Sequence, residues 1–96
     1  MLPKLVTLKV NSNTLMPTIH VLDSIKIDVY SREHLPAHFH ALYAEHEILI
    51  VIKTQRTYAG YLPIRQHKMV LHWTKNEQVR LFLIENFKRL NPNLNV

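Results

Sequence analysis

Apolar and polar residues alternate along much of the N-terminal half of the chain, a pattern typical of half-buried β-strands. Candidate strands occupy residues 4–10, 18–22, 24–30, 38–43 and 48–52. The clearest of them places Ile25, Ile27 and Val29 on one face and polar residues on the other. The last is apolar throughout, which indicates a central strand covered on both faces.

After the single glycine, Gly60, the spacing of apolar residues becomes helical. Pro63 suits the first turn of a helix, and Asn76 suits the N-cap of a second helix that ends before Pro92. Strands first and helices last predict an α+β fold: an antiparallel β meander of about four to five strands, followed by a C-terminal pair of helices packed on one face.

Length and composition indicate one domain. The chain has 96 residues, of which 47% are hydrophobic, enough for one compact core but not for two. We assign residues 16–90 to a single α+β domain, 1–15 to an N-terminal extension whose β-like pattern suits an added strand, and 91–96 to a C-terminal tail. Translation could start at Met1 or at Met16, and the sequence does not choose between them.

Charge and residue usage indicate the cellular location and the kind of partner. The chain has no cysteine, which excludes disulfides and thiolate metal sites, and it has no run of about 20 apolar residues, so we expect a cytoplasmic protein and no membrane. Its formal charge of +5 favours an acidic partner, such as RNA or an acidic protein.

Three of the seven histidines lie between positions 34 and 40, and this segment is the only concentrated chemistry in the sequence. If 38–43 is a strand, His38 and His40 share a face, about 7 Å apart along the backbone. Pro36 restricts the preceding chain, so His34 is held near the pair.

Three interpretations of this segment remain open. In the first, His34, His38 and His40 exchange protons with an RNA phosphodiester while Tyr30, Arg32, Arg65 and Lys68 bind it, and no cofactor is needed. In the second, His38 and His40 bind a divalent transition metal such as zinc, completed by His34, Glu45 or water. In the third, the histidines only satisfy local hydrogen bonds or contact a partner protein.

The segment also resembles a known family. Pro36 followed by His38, Phe39 and His40, together with Gly60-Tyr61-Leu62-Pro63, is similar to the bacterial family called domain of unknown function 4160. Leu35, Ala37 and Val51 depart from its usual pattern, and Val51 weakens any role that needs an acid there. The resemblance implies a bacterial protein of toxin–antitoxin type, with RNA as the sharpest substrate guess, and no established reaction.

Two apolar surfaces predict association. The run 48–52 and the wide apolar stripe of the second helix, which includes Leu81 and Ile84, exceed what one core needs. A cognate protein partner, a homo-oligomer or the N-terminal strand could cover them, and the sequence does not choose.

Overall fold

The structure, a computed structural model, describes residues 17–96; the expected strand at 4–10 and the boundary at Met16 lie outside the described residues. Five strands precede two helices, in the order β1 Thr18–Leu22, β2 Ile25–Asp28, β3 His38–Tyr43, β4 His46–Val51, β5 Thr57–Tyr61, α1 Ile64–Thr74 and α2 Glu77–Leu90. The strands form one antiparallel sheet in sequence order. The predicted meander followed by a helical pair is therefore confirmed.

The two faces of the sheet differ because side chains alternate along each strand. One face packs against the helices through fully buried side chains: Ile25, Ile27, Val29, Phe39, Ala41, Ile48, Ile50 and Ile52 from the strands and nearby loops, and Val70, Leu83 and Phe87 from the helices. We call the opposite side of the sheet the polar face, because it carries Asp28, His40 and Glu47.

Strand β4 also alternates in burial, although it contains most of the apolar run 48–52. Ile48 and Ile50 are fully buried, whereas Leu49 and Val51 are only half-buried on the polar face. One face of this strand is therefore fully buried in the core, and the other face is only partly buried.

The start of α2 follows the predicted cap at Asn76, whereas Pro63, expected in the first turn of α1, lies one position before it. Pro63 occupies the N-cap position of α1, and Asn76 caps α2 by accepting a 2.8 Å hydrogen bond from the Gln78 amide. Helix α1 packs on the core face through Trp73, whose ring meets Phe39 edge-on and stacks on His20. Within residues 17–96, neither helix has the length and apolar content of a membrane span.

Candidate functional site

Strand β3 places two histidines on the polar face, as the alternation predicts. His40 lies opposite Asp28 of β2 and Leu49 of β4, and its ring centroid is 5.5 Å from that of His38. The peptide bond before Pro36 is cis. The Pro36 carbonyl accepts a 2.8 Å hydrogen bond from Nδ1 of His38, so the loop before β3 fixes the orientation of the first ring.

Glu33, from the loop after β2, completes a compact group with these histidines. Its Oε2 atom lies 2.9 Å from Nε2 of His40 and 3.3 Å from Nε2 of His38. One nitrogen from each histidine and one carboxylate oxygen all lie within 4.8 Å of one another. We call Glu33, His38 and His40 the Glu-His-His cluster.

His38 is the most buried member, with 1% of its surface exposed. Because its Nδ1 donates to a carbonyl, the neutral ring carries its lone pair on Nε2, which faces Glu33. That nitrogen is buried and has no hydrogen-bond partner among residues 17–96, and Oε2 of Glu33 lies 3.3 Å from it. Buried polar atoms are usually hydrogen-bonded, so this nitrogen is an exception among the described residues.

The other nitrogen of His40 is held by a second carboxylate. Nδ1 of His40 lies 2.7 Å from Oε2 of Glu47. The two-residue turn between β3 and β4 pairs Tyr43 with His46 and Leu42 with Glu47, which brings the Glu47 side chain to the polar face beside His40. His40 therefore lies between two carboxylates, one on each ring nitrogen.

Charge in the cluster is strongly coupled. Burial alone would raise the pKa of the Glu33 carboxyl, but its contacts with His38 and His40 outweigh burial and lower the pKa from 4.5 to about 2. Burial likewise opposes protonation of His38, but Glu33 and the Pro36 carbonyl raise its pKa above the usual value. Glu33 is consequently a carboxylate at neutral pH.

Tyr30 lies next to the cluster: its ring contacts His40, and its hydroxyl binds the buried Asp28. The ring edge of Tyr30 lies 4.6 Å, centroid to centroid, from His40. Its hydroxyl donates to Oδ2 of Asp28 at 3.1 Å, while Thr18 donates to Oδ1 at 2.7 Å. Burial, and after it the charge of Asp28, raises the pKa of Tyr30, so the phenol keeps its proton and serves as a hydrogen-bond donor.

The remaining candidates lie at different distances from the cluster. The exposed ring of His34 is 5.5 Å from that of His38 and 5.9 Å from that of Tyr58. Arg32 is exposed in the same loop as Glu33, with a positive φ of 59°. Arg65 and Lys68 lie on α1, which packs on the opposite face of the sheet, and no salt bridge within residues 17–96 joins them to Glu33 or Glu47.

Sequence reasoning missed two acidic members of the site. It offered Glu45 as a ligand, but that side chain is exposed in the β3–β4 turn, 3.6 Å from His46. Glu33 and Glu47 occupy the site instead. Glu47 could have been found from the two-residue turn, because that turn fixes the register with β3; Glu33 lies in a loop, and only its proximity to His34 in sequence hinted at it.

The chain matches one described protein family. A family model described as a domain of unknown function (DUF4160) matches residues 24–87, about two thirds of the chain. The matched span contains the whole Glu-His-His cluster and Glu47. No curated protein and no solved structure matches the chain.

Proposed function

This chain belongs to the family described as domain of unknown function 4160, and we propose that it binds a divalent transition-metal ion, such as zinc, through Glu33, His38 and His40. The observation that carries the proposal is the buried Nε2 atom of His38, which has no hydrogen-bond partner within the described residues and faces a carboxylate and a second imidazole. A metal ion would satisfy that nitrogen.

The spacing of the donor atoms supports this proposal. Ligand atoms bound to one zinc ion at 2.0–2.1 Å lie about 2.8–3.4 Å apart for angles between 90° and 109°. Oε2 of Glu33 lies 2.9 Å and 3.3 Å from the two Nε2 atoms, which matches two of the three edges. Only the two imidazoles need to approach each other further, within a cluster that spans at most 4.8 Å.

The groups behind the ligands also support it. Histidine ligands of metals donate their other ring N–H to a carbonyl or a carboxylate, which fixes the tautomer and the ring orientation. Here the Pro36 carbonyl holds Nδ1 of His38 and Glu47 holds Nδ1 of His40. Both Nε2 atoms therefore face Glu33 on the same side, where a metal ion would replace the 2.9 Å hydrogen bond between His40 and Glu33.

The donor set selects a class of metal. Imidazole and carboxylate without thiolate suit zinc, iron, cobalt or nickel, and three protein ligands leave a coordination position for water or substrate. A zinc ion in such a site lowers the pKa of its bound water to about 7, which would supply a nucleophile at neutral pH.

The test is zinc binding by untagged protein freed of metal with a chelator. We expect one zinc ion per chain, measured by competition with a chromophoric chelator. His40→Ala should lower the affinity at least tenfold, and His46→Ala, which removes a histidine on the adjacent strand outside the cluster, serves as the matched control. Circular dichroism of each metal-free variant establishes that it is folded. A folded wild type that binds no zinc, or that binds it equally well after His40→Ala, would overturn the proposal.

A second candidate is acid–base cleavage of RNA by a toxin-type module that is neutralised by a cognate protein. The charge of +5 and the succession of His34, His38 and His40, with neighbouring ring centroids 5.5 Å apart, support it. We rank it second because both Nε2 atoms face one carboxylate, whose negative charge opposes a phosphate in the same place.

Inducible expression in bacteria separates the two candidates. Growth arrest with RNA cleavage in the wild type, lost in His38→Ala/His40→Ala and unaffected by a chelator in the purified protein, would favour metal-free RNA chemistry. RNA cleavage that a chelator abolishes would show that the protein cleaves RNA with the help of a bound metal ion. Normal growth and intact RNA, with folded protein present, would favour a non-catalytic domain that binds a protein partner.

A further inference from the structure

The last turn of α2 contacts the cluster at two points, although it lies more than forty residues away in sequence. The ring of Phe87 is 5.8 Å, centroid to centroid, from that of His38. One turn later, the side chain of Asn91 reaches the loop that carries Glu33. The loop and the histidine strand are thus both supported by the same helix end.

Asn91 holds this loop from both ends. Its Oδ1 accepts a 2.8 Å hydrogen bond from the backbone N–H of Glu33, and its Nδ2 donates to the carbonyl of Tyr30 at 2.9 Å. The same Nδ2 donates to the carbonyl of Phe87 at 3.0 Å, which ties the side chain back to α2. Asn91 is 5% exposed, so these bonds form out of water.

The residues between the two anchored points have little other support. Ser31 and Arg32 are exposed, and Arg32 has a φ of 59°, a conformation that a non-glycine side chain rarely adopts. The position of Glu33 relative to His38 and His40 therefore depends on a short strained loop. Both ends of this loop are hydrogen-bonded to the side-chain amide of Asn91. An asparagine is suited to this because it offers two donors and an acceptor at once.

We infer that Asn91 is a positioning residue of the metal site: it does not bind the metal but sets the backbone from which Glu33 does. The inference rests on the proposed metal-binding function. It also brings residue 91, which the sequence assigned to the C-terminal tail and which lies outside the family match at 24–87, into the functional part of the molecule.

The experiment compares zinc affinities in a double-mutant cycle. Asn91→Ala should weaken zinc binding about 10- to 100-fold, as removal of an outer-shell partner does. In a Glu33→Ala background, where there is no carboxylate left to position, Asn91→Ala should cause little further loss. Asn86→Ala is the matched control, since Asn86 lies on the same helix and, within residues 17–96, its side chain forms hydrogen bonds with Phe82 and Arg89 of α2.

The outcomes separate this inference from the metal proposal itself. If the wild type binds no zinc, the proposed function fails. If the wild type binds zinc and Asn91→Ala binds it equally well, or loses the same factor with and without Glu33, Asn91 has no positioning role. Should Asn91→Ala not fold without metal, Asn91→Asp keeps the acceptor for the Glu33 amide and removes both donors. It should then bind zinc more weakly than the wild type, and wild-type affinity would overturn the inference.

Discussion

Nδ1 of His40 lies 2.7 Å from Oε2 of Glu47, so strands β3 and β4 are joined on the polar face by a side-chain pair as well as by backbone hydrogen bonds. Glu47 is partly exposed, whereas His40 has only 13% of its side chain exposed. A hydrogen bond of this kind, to a carboxylate that is partly exposed, adds little to stability. Its main consequence is therefore the orientation that it gives the His40 ring.

Replacing Glu47 should consequently affect zinc binding more than folding. We expect Glu47→Gln to lower zinc affinity about tenfold, because the amide keeps the shape but loses the charge that makes His40 a stronger ligand. The free energy of unfolding without metal should change by less than about 1 kcal/mol. Glu45→Gln, an exposed acid in the adjacent turn, is the control and should change neither quantity. Equal zinc affinities for both variants would contradict a role for Glu47.

Zinc should stabilise the folded chain in proportion to its occupancy. A ligand that binds only the native state adds about 2.7 kcal/mol at a free concentration of 100 times its Kd. Thermal unfolding with buffered zinc, and again after a chelator is added, measures this gain and its reversal. His40→Ala should show no comparable gain. A midpoint that does not respond to zinc in the wild type would count against a site in the native state.

Stability of the metal-free chain should depend on pH in two opposite directions. The pKa of Glu33 is lowered to about 2, so its contribution is present above its ordinary value of 4.5 and is lost as pH falls toward 2. The pKa of His38 is raised, so its contribution is present below 6.5 and is lost as pH rises through the higher folded value. Stability from this pair should therefore be greatest between those two ordinary values.

Urea unfolding with a chelator, across about pH 3 to 9, tests this profile. Glu33→Gln removes the carboxyl group whose pKa is lowered and also the carboxylate that raises the pKa of His38, so it should flatten both flanks. His67→Gln, which changes a histidine on α1 outside the cluster, should leave the profile intact. A profile that Glu33→Gln does not alter would show that other groups govern the pH dependence.

Loss of the Tyr30 hydroxyl should destabilise the fold. Asp28 is 2% exposed and accepts hydrogen bonds from Tyr30 and Thr18. Tyr30→Phe removes one donor from a buried carboxylate, and we expect a cost of about 1–3 kcal/mol in the free energy of unfolding. Tyr61→Phe, at a ring that is 62% exposed, should cost less than about 0.5 kcal/mol. Similar costs for the two variants would mean that Asp28 does not depend on Tyr30.

The fold could be predicted from the spacing of apolar residues because strands and helices repeat their burial pattern along the chain. Alternation in 24–30 and 38–43 gave β2 and β3, and the cap at Asn76 gave the start of α2. The same alternation put His38 and His40 on one face. These inferences need only local geometry, so the amino-acid sequence is sufficient for them.

The rest of the site depends on contacts that local patterns do not encode. Glu33 lies in a loop whose path is set by Asn91, 58 residues further along the chain. Glu47 depends on the turn length between β3 and β4, and Asp28, which alternation assigned to a polar face, is buried there by Thr18 and Tyr30. Each of these positions becomes visible only when strand register and loop path are known.

Gly60 links the integrity of the sheet to that of the site. It pairs with Ile48 across β4 and β5 and has a φ of 74°, and a Cβ added there would overlap the backbone carbonyl oxygen of Glu47. Because that atom is backbone, β4 would have to shift, and Glu47 would shift with it. We therefore expect Gly60→Ala to cost more than about 1 kcal/mol in the free energy of unfolding and also to weaken zinc binding.

Ala59→Gly is the matched control for Gly60→Ala, since it alters the neighbouring residue of β5 in the opposite sense. It should cost roughly 0.5–1 kcal/mol through chain entropy while leaving zinc affinity unchanged. Urea unfolding without metal gives the first quantity, and chelator competition gives the second. If Gly60→Ala kept both wild-type values, β4 would tolerate a side chain at this crossing, and the backbone of Glu47 would not need its present position for His40 to bind metal.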